Sequence, residues 1–107
     1  MAITIKQGDA FDLPVRVTVN GAAVTSADVE AVEFMVGDVR KTYPEDATYD
    51  IENGMFYVSL AQQDTFSFPA DDQIMLDVRV KFKGGKVLGI PKMTPILVYD
   101  ATSEVVI

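Results

Sequence analysis

The chain has 107 residues, no Cys and no His, and a formal net charge of -7. Its length fits a single domain, and its 49% hydrophobic residues can form a core without disulfides. The missing residue types exclude thiol nucleophiles, thiolate metal sites and the commonest general base, so most enzyme chemistries lack their functional groups. The negative charge also argues against nucleic acid and anionic membranes as partners.

The amino-terminal residues show no basic region followed by an apolar segment. No window approaches the roughly 18 consecutive apolar residues of a membrane span. We therefore expect a location in the cytoplasm of the producing cell.

The first third of the chain alternates between apolar and polar residues in short segments. Ile3 to Lys6 predicts a short edge strand, and Leu13 to Val19 predicts a longer one. Asn20-Gly21, which follows, is a strong signal for a two-residue hairpin. Pro14 cannot donate a ladder hydrogen bond, so its end of the strand should lie at a sheet edge or at the strand start. Thr25 to Asp28 predicts at most one helical turn.

The middle of the chain predicts further strands joined by turns. Val32 to Val36 alternates as a third long strand, and Gly37-Asp38 turns it toward Val39 to Tyr43. A hairpin is predicted around Gly54, between Thr48 to Ile51 and Met55 to Leu60. Ala61 to Thr65 is the best candidate for a helical crossover.

The clearest pattern lies between Ile74 and Ile90. Apolar residues alternate with charged ones up to Phe82, which predicts a strand with one buried face. Gly84-Gly85 can adopt the positive φ that a two-residue hairpin turn requires, and Lys86 to Ile90 would return alongside.

The carboxy-terminal part predicts one more strand and a tail. Pro91 and Pro95 interrupt the chain before a final strand at Ile96 to Tyr99, and residues 101–107 form a candidate partner-pairing tail. The whole pattern predicts an all-β fold: residues 1–107 as one immunoglobulin-like antiparallel β-sandwich of roughly seven to nine short strands with one or two single helical turns. A small closed barrel is the alternative.

Carboxylates are the only plentiful reactive groups, and they do not form a known site. Glu45, Asp46, Asp50 and Glu52 lie close together and would suit calcium, but their spacing matches no calcium-binding motif. The serines have no histidine to activate them, and the Gly84-Gly85 turn lacks Walker spacing. We predict no catalytic residue, no metal ligand and no cofactor.

Positive charge is concentrated in one stretch of this acidic chain. Between Ile74 and Lys92, Asp77 is the only acidic residue beside five cations: Arg79, Lys81, Lys83, Lys86 and Lys92. These cations either form a solvated hairpin that resists edge-to-edge pairing or dock onto an acidic face of another copy or another protein. The candidate partner-docking residues are Arg79, Lys81, Lys83 and Lys86.

One resemblance is carried by the opening residues. A short strand, the Lys6-Gln7-Gly8-Asp9 turn and an alternating strand ending at Asn20-Gly21 resemble the amino-terminal immunoglobulin-like domain of phage baseplate upper proteins from phages of Gram-positive bacteria. Ser26 to Phe34 is similar to that family's link into the next strand. The chain as a whole resembles small phage or prophage structural proteins of Firmicutes. The resemblance implies a virion structural role and transfers no catalytic residue.

Two functions follow as expectations. The first is a non-enzymatic interaction module in a virion tail or baseplate, which contacts copies of itself, as a homo-oligomer, or other subunits. Its contacts would be the cationic hairpin and three exposed strand edges (Ile3 to Lys6, Val39 to Tyr43, Ile96 to Tyr99), with Val105 to Ile107 adding a strand to a neighbour. The second is a carbohydrate-binding or other ligand-binding module that uses acidic loops and Tyr43, Tyr49, Tyr57 and Tyr99.

Overall fold

The computed structural model describes residues 3–90 and 94–101. This part of the chain contains one short helix, α1 (Gln62–Phe66), and eleven strands, nine of which have three or more residues. The strands are β1 (Ile3–Lys6), β2 (Phe11–Val15), β3 (Thr18–Val19), β4 (Ala22–Ala23), β5 (Val29–Val36), β6 (Val39–Tyr43), β7 (Ala47–Asp50), β8 (Met55–Leu60), β9 (Asp72–Phe82), β10 (Val87–Gly89) and β11 (Thr94–Tyr99).

The strands form three sheets. A six-stranded sheet has the order β1-β11-β9-β5-β6, with β10 also paired to β9, and a three-stranded sheet has the order β2-β8-β7. The remaining two strands, β3 and β4, form a small hairpin. All pairs are antiparallel except β1 with β11, which is parallel. The prediction of a mostly antiparallel β fold is confirmed.

β9 lies at the centre of the large sheet, and its alternation of apolar and polar residues gives it one buried face. Ile74, Leu76, Val78 and Val80 are buried, whereas Arg79 and Lys81 on the other face are exposed. Because β-strand side chains alternate between faces, this pattern fixes the register of β9 against β5. The predicted strand with one buried face is confirmed.

Both main sheets contribute side chains to one core. Phe34 of β5 and Phe56 of β8 are fully buried, and their ring centroids lie 5.8 Å apart. Tilted aromatic pairs at this distance add to the free energy gained from burial. The six-stranded and three-stranded sheets therefore touch through this aromatic contact.

The predicted strand from Leu13 to Val19 is divided in the structure. Its first part, within β2, pairs with β8, whereas β3 pairs only with β4. At the hairpin tip, Asn20 and Gly21 have φ angles of 51° and 81°, as a primed turn requires. β2 is an edge strand, which confirms the placement of Pro14.

The turn between β9 and β10 is longer than predicted. The Phe82 N–H donates to the Lys86 carbonyl at 2.8 Å, so three residues, from Lys83 to Gly85, form the turn instead of two. Gly84 and Gly85 have φ angles of 98° and 94°. Both glycines thus adopt the positive φ that was predicted, although the turn has three residues and not the predicted two.

The predicted sheet edges are correct in two of three cases. β1 and β6 are the outer strands of the six-stranded sheet, but β11, which contains Ile96 to Tyr99, lies between β1 and β9. β1, the first strand of the described chain, pairs with β11, the last, and so occupies the edge of β11. No local sequence pattern indicates this pairing. The predicted pairing of Val105 to Ile107 with a neighbour falls outside the described residues.

Candidate interaction surfaces

The β9–β10 hairpin brings the four predicted docking residues together. Arg79 and Lys81 lie on the exposed face of β9, and Lys83 and Lys86 flank the glycine turn. All four are exposed. We refer to this hairpin and its four cations as the cationic hairpin.

Acidic residues of the neighbouring strand neutralise part of this charge. The Lys81 ammonium lies 3.5 Å from a Glu30 carboxylate oxygen. Arg79 is the cross-strand partner of Glu33, which in turn binds Arg40 at 2.6 Å. Among the described residues no ion pair is found for Lys83 or Lys86, so the net positive charge is greatest at the hairpin tip.

The outer side of β10 offers a sheet edge with exposed apolar side chains. Val87 and Leu88 are 51% and 45% exposed. Lys86 and Ile90 make the hydrogen bonds to β9, so the alternation of an antiparallel ladder turns the backbone polar groups of Val87 and Gly89 away from β9. Within the described ranges, β9 is the only strand that pairs with β10.

A groove lies on the same sheet, toward the opposite end of β9. It has a volume of about 440 Å³, and Met35, Pro69 and Met75 supply apolar walls while Asp38 and Asp77 supply carboxylates. The Gly37 N–H donates to the Met75 carbonyl at 3.0 Å, which holds the β5–β6 turn against β9. We call these five lining residues the acid groove.

The four tyrosines do not converge on one groove. Tyr43 and Tyr49 pack against Phe56, with ring centroids 5.2 and 4.8 Å from it. Tyr57 lies in the three-stranded sheet and lines a depression of about 380 Å³ with Asp12, Lys41 and Asp46, among others. Tyr99 is 51% exposed on β11 of the other sheet. The aromatic-lined surface expected of a ligand-binding module is therefore not formed by these residues.

The acidic loops are used mainly to cap turns. Asp50 accepts hydrogen bonds from the backbone N–H groups of Glu52 and Asn53, and Asp46 accepts from the Thr42 N–H at 3.0 Å. In the part of the chain that the structure describes, no group of three or more acidic side chains is arranged to hold a metal ion.

Two features of the surface were not predicted from the sequence. The acid groove joins residues of β5, the β5–β6 turn, the segment after α1 and β9, so no single stretch of sequence indicates it. The ion pair between Lys41 and Asp64 also joins distant segments. One sequence feature does indicate the groove. Met35 and Met75 are apolar residues at positions of their alternating strands that fall on the polar face.

Comparisons with known proteins add no identification. No protein-family model matches the chain, and no curated protein matches it either. Within residues 3–90 and 94–101, no helix has the length and apolar character needed to cross a bilayer.

Proposed function

We propose that this protein is a non-enzymatic structural and interaction module of phage origin that acts through protein–protein contacts in a virion tail or baseplate. The resemblance of Ile3 to Val15 and Ser26 to Phe34 to baseplate upper proteins supports the phage part of the proposal. The observation that carries the interaction role is the cationic hairpin, because β10, which pairs with β9 alone among the described residues, exposes Val87 and Leu88 next to Lys86.

We also propose that the two main sheets form an immunoglobulin-like sandwich. The order β6-β5-β9-β11 corresponds to strands C′, C, F and G of that topology, and β2-β8-β7 corresponds to B, E and D. The contact between Phe34 and Phe56 and the one-turn crossover α1 between the two sheets support the same arrangement.

The chemistry of the hairpin favours a protein partner over a purely protective role. Lysines alone are sufficient to keep a sheet edge from pairing with other edges. Exposed Val87 and Leu88 add an apolar surface that serves no such protection and that partner contacts would bury. Lysines around them would steer an acidic partner and fix its orientation.

Mass spectrometry of phage particles from the organism that carries the gene tests the proposal. We expect the chain in purified particles, and we expect Lys83→Glu/Lys86→Glu, the hairpin variant, to be lost from them. Arg16→Glu makes the same change in net charge as the single reversal Lys86→Glu but lies outside the hairpin, and it should remain incorporated. Absence of the wild-type chain from particles, or full incorporation of the hairpin variant, would contradict the proposal.

A further inference from the structure

The exposed face of the large sheet has opposite charge toward its two ends. The cationic hairpin occupies one end, whereas the acid groove and its neighbours Asp71 and Asp72 lie toward the other. The five residue steps from Asp77, the groove residue of β9 nearest the hairpin, to Phe82 span about 17 Å along β9. Arg79 lies only two residues from Asp77, but because both surfaces belong to one continuous strand, the hairpin tip with Lys83 and Lys86 cannot reach the acid groove of the same molecule.

The two surfaces also match in apolar character. Val87 and Leu88 are exposed at the hairpin, and the acid groove exposes Met35, Pro69 and Met75 between its carboxylates. Beside the groove, Leu97 and Tyr99 are 38% and 51% exposed and line a second depression with Asp71 and Asp72. Each end therefore combines apolar area with an excess of one sign of charge, although Glu30 and Glu33 lie beside the hairpin and Lys6 and Arg40 lie toward the acidic end.

We infer that the cationic hairpin of one copy docks on the acid groove of a second copy. The inference rests on the proposed function and names its partner as this same chain. Lys83 and Lys86 would face Asp38 and Asp77, while Val87, which lies on the exposed face beside Lys81, would cover the methionines of the groove. Opposite charges set the orientation of this contact, and burial of apolar area supplies most of its free energy.

The contact is head-to-tail, because different surfaces of the two copies meet. A heterologous contact leaves a free hairpin at one end and a free groove at the other, so further copies can add until a ring closes or a filament grows. Assembly should therefore depend on protein concentration and should weaken as salt screens the exposed charges.

Sedimentation equilibrium at low salt tests the inference with two charge reversals. One is the hairpin variant, and the other is Asp38→Lys/Asp77→Lys, the groove variant. Each should weaken self-association at least about tenfold, because like charges would then meet across the contact. An equimolar mixture of the two variants should associate again, since the intact groove of one can bind the intact hairpin of the other.

Controls separate the contact from net charge and from folding. Arg16→Glu, matched to the single reversal Lys86→Glu, and Glu45→Lys/Glu52→Lys, matched to the groove variant, alter net charge by the same amounts at exposed positions outside both surfaces and should associate like the wild type. Circular dichroism shows whether each charge-reversal variant folds. A variant that does not fold is replaced by its neutral counterpart, Lys83→Gln/Lys86→Gln or Asp38→Asn/Asp77→Asn. The neutral variants should weaken association less than the reversals.

Three results would overturn the inference: a monomeric wild type at every concentration at low salt, unchanged association of the groove variant, or no recovery in the mixture. Unchanged association of the groove variant with loss in the hairpin variant would indicate a symmetric hairpin contact instead. A monomeric protein that is nevertheless found in particles would refute self-docking while leaving the proposed virion role intact.

Discussion

The Lys41 ammonium lies 2.9 Å from Oδ2 of Asp64, which joins the edge strand β6 to helix α1. Their side chains are only 17% and 22% exposed. Lys41 is the cross-strand partner of Phe34, so its side chain leaves β6 on the core-facing side of the sheet. The same Asp64 oxygen accepts the Ala61 N–H at 2.8 Å, and one carboxylate thus caps the helix and binds the large sheet.

Removing this carboxylate should destabilise the fold. We expect Asp64→Ala to lower the free energy of unfolding by about 1–2 kcal/mol, because both the cap and the ion pair are lost. Asp64→Asn keeps an acceptor for the Ala61 N–H and should cost less. Urea denaturation of both variants measures the two contributions, and equal losses would show that the charge of Asp64 carries the whole effect.

The same ion pair predicts a dependence of stability on pH. Partial burial acts to raise the pKa of Asp64, but the Ala61 N–H and the Lys41 ammonium outweigh it and hold the pKa below its ordinary value of 3.8. The folded state therefore favours the carboxylate, and the resulting stabilisation is complete above the ordinary pKa and lost as pH falls through the folded value. The unfolding free energy of Asp64→Asn should fall less steeply than that of the wild type below about pH 5. Parallel pH profiles would contradict this.

Gly8 is required by both its backbone and its surroundings. Its φ is +90°, and a Cβ atom there would lie 2.9 Å from Cζ of Phe66. Gly21 has a φ of +81° but no atom within 4 Å of the same position, so Gly21→Ala is a matched control. We expect a loss of about 2–4 kcal/mol for Gly8→Ala and about 1–2 kcal/mol for Gly21→Ala. Thermal unfolding compares them, and equal losses would show that Phe66 moves aside freely.

Tyr49 should behave as a core residue. Because its ring packs against Phe56, Tyr49→Ala should cost about 2–4 kcal/mol, whereas Tyr49→Phe should change stability by less than about 0.5 kcal/mol. Chemical denaturation gives both values. A negligible effect of Tyr49→Ala would indicate a surface tyrosine and would revive the ligand-binding alternative.

The local sequence pattern predicts where most strands lie, but it does not predict which strands pair with one another. The alternation of β9 and the Asn20-Gly21 turn depend on adjacent residues, so both could be predicted from the sequence. The interior position of β11 and the division of the strand after Val15 depend on which distant strands pair. Tyr43 and Tyr49, which the ligand-binding alternative needs on an accessible surface, pack against Phe56 instead, and a one-residue change of register is enough to reverse the face of a strand side chain.

In the cationic hairpin too, the features set by adjacent residues could be predicted from the sequence, whereas those set by strand pairing could not. The four cations of the hairpin lie within eight residues of sequence, and the structure leaves all four exposed. Glu30 and Glu33, which neutralise part of their charge, are about fifty residues away along the chain and adjacent only through the β5–β9 pairing. A count of charge along the sequence therefore overestimated the positive potential at Arg79 and Lys81.

Hydrogen–deuterium exchange on the wild-type protein, diluted and concentrated at low salt, tests the central claim most directly. We predict that the amides of Val87, Gly89 and Asp38 gain protection together as concentration rises, because one head-to-tail contact covers both surfaces. High salt should remove both gains. Exchange that is independent of concentration at both places, or protection of the hairpin alone, would contradict the account.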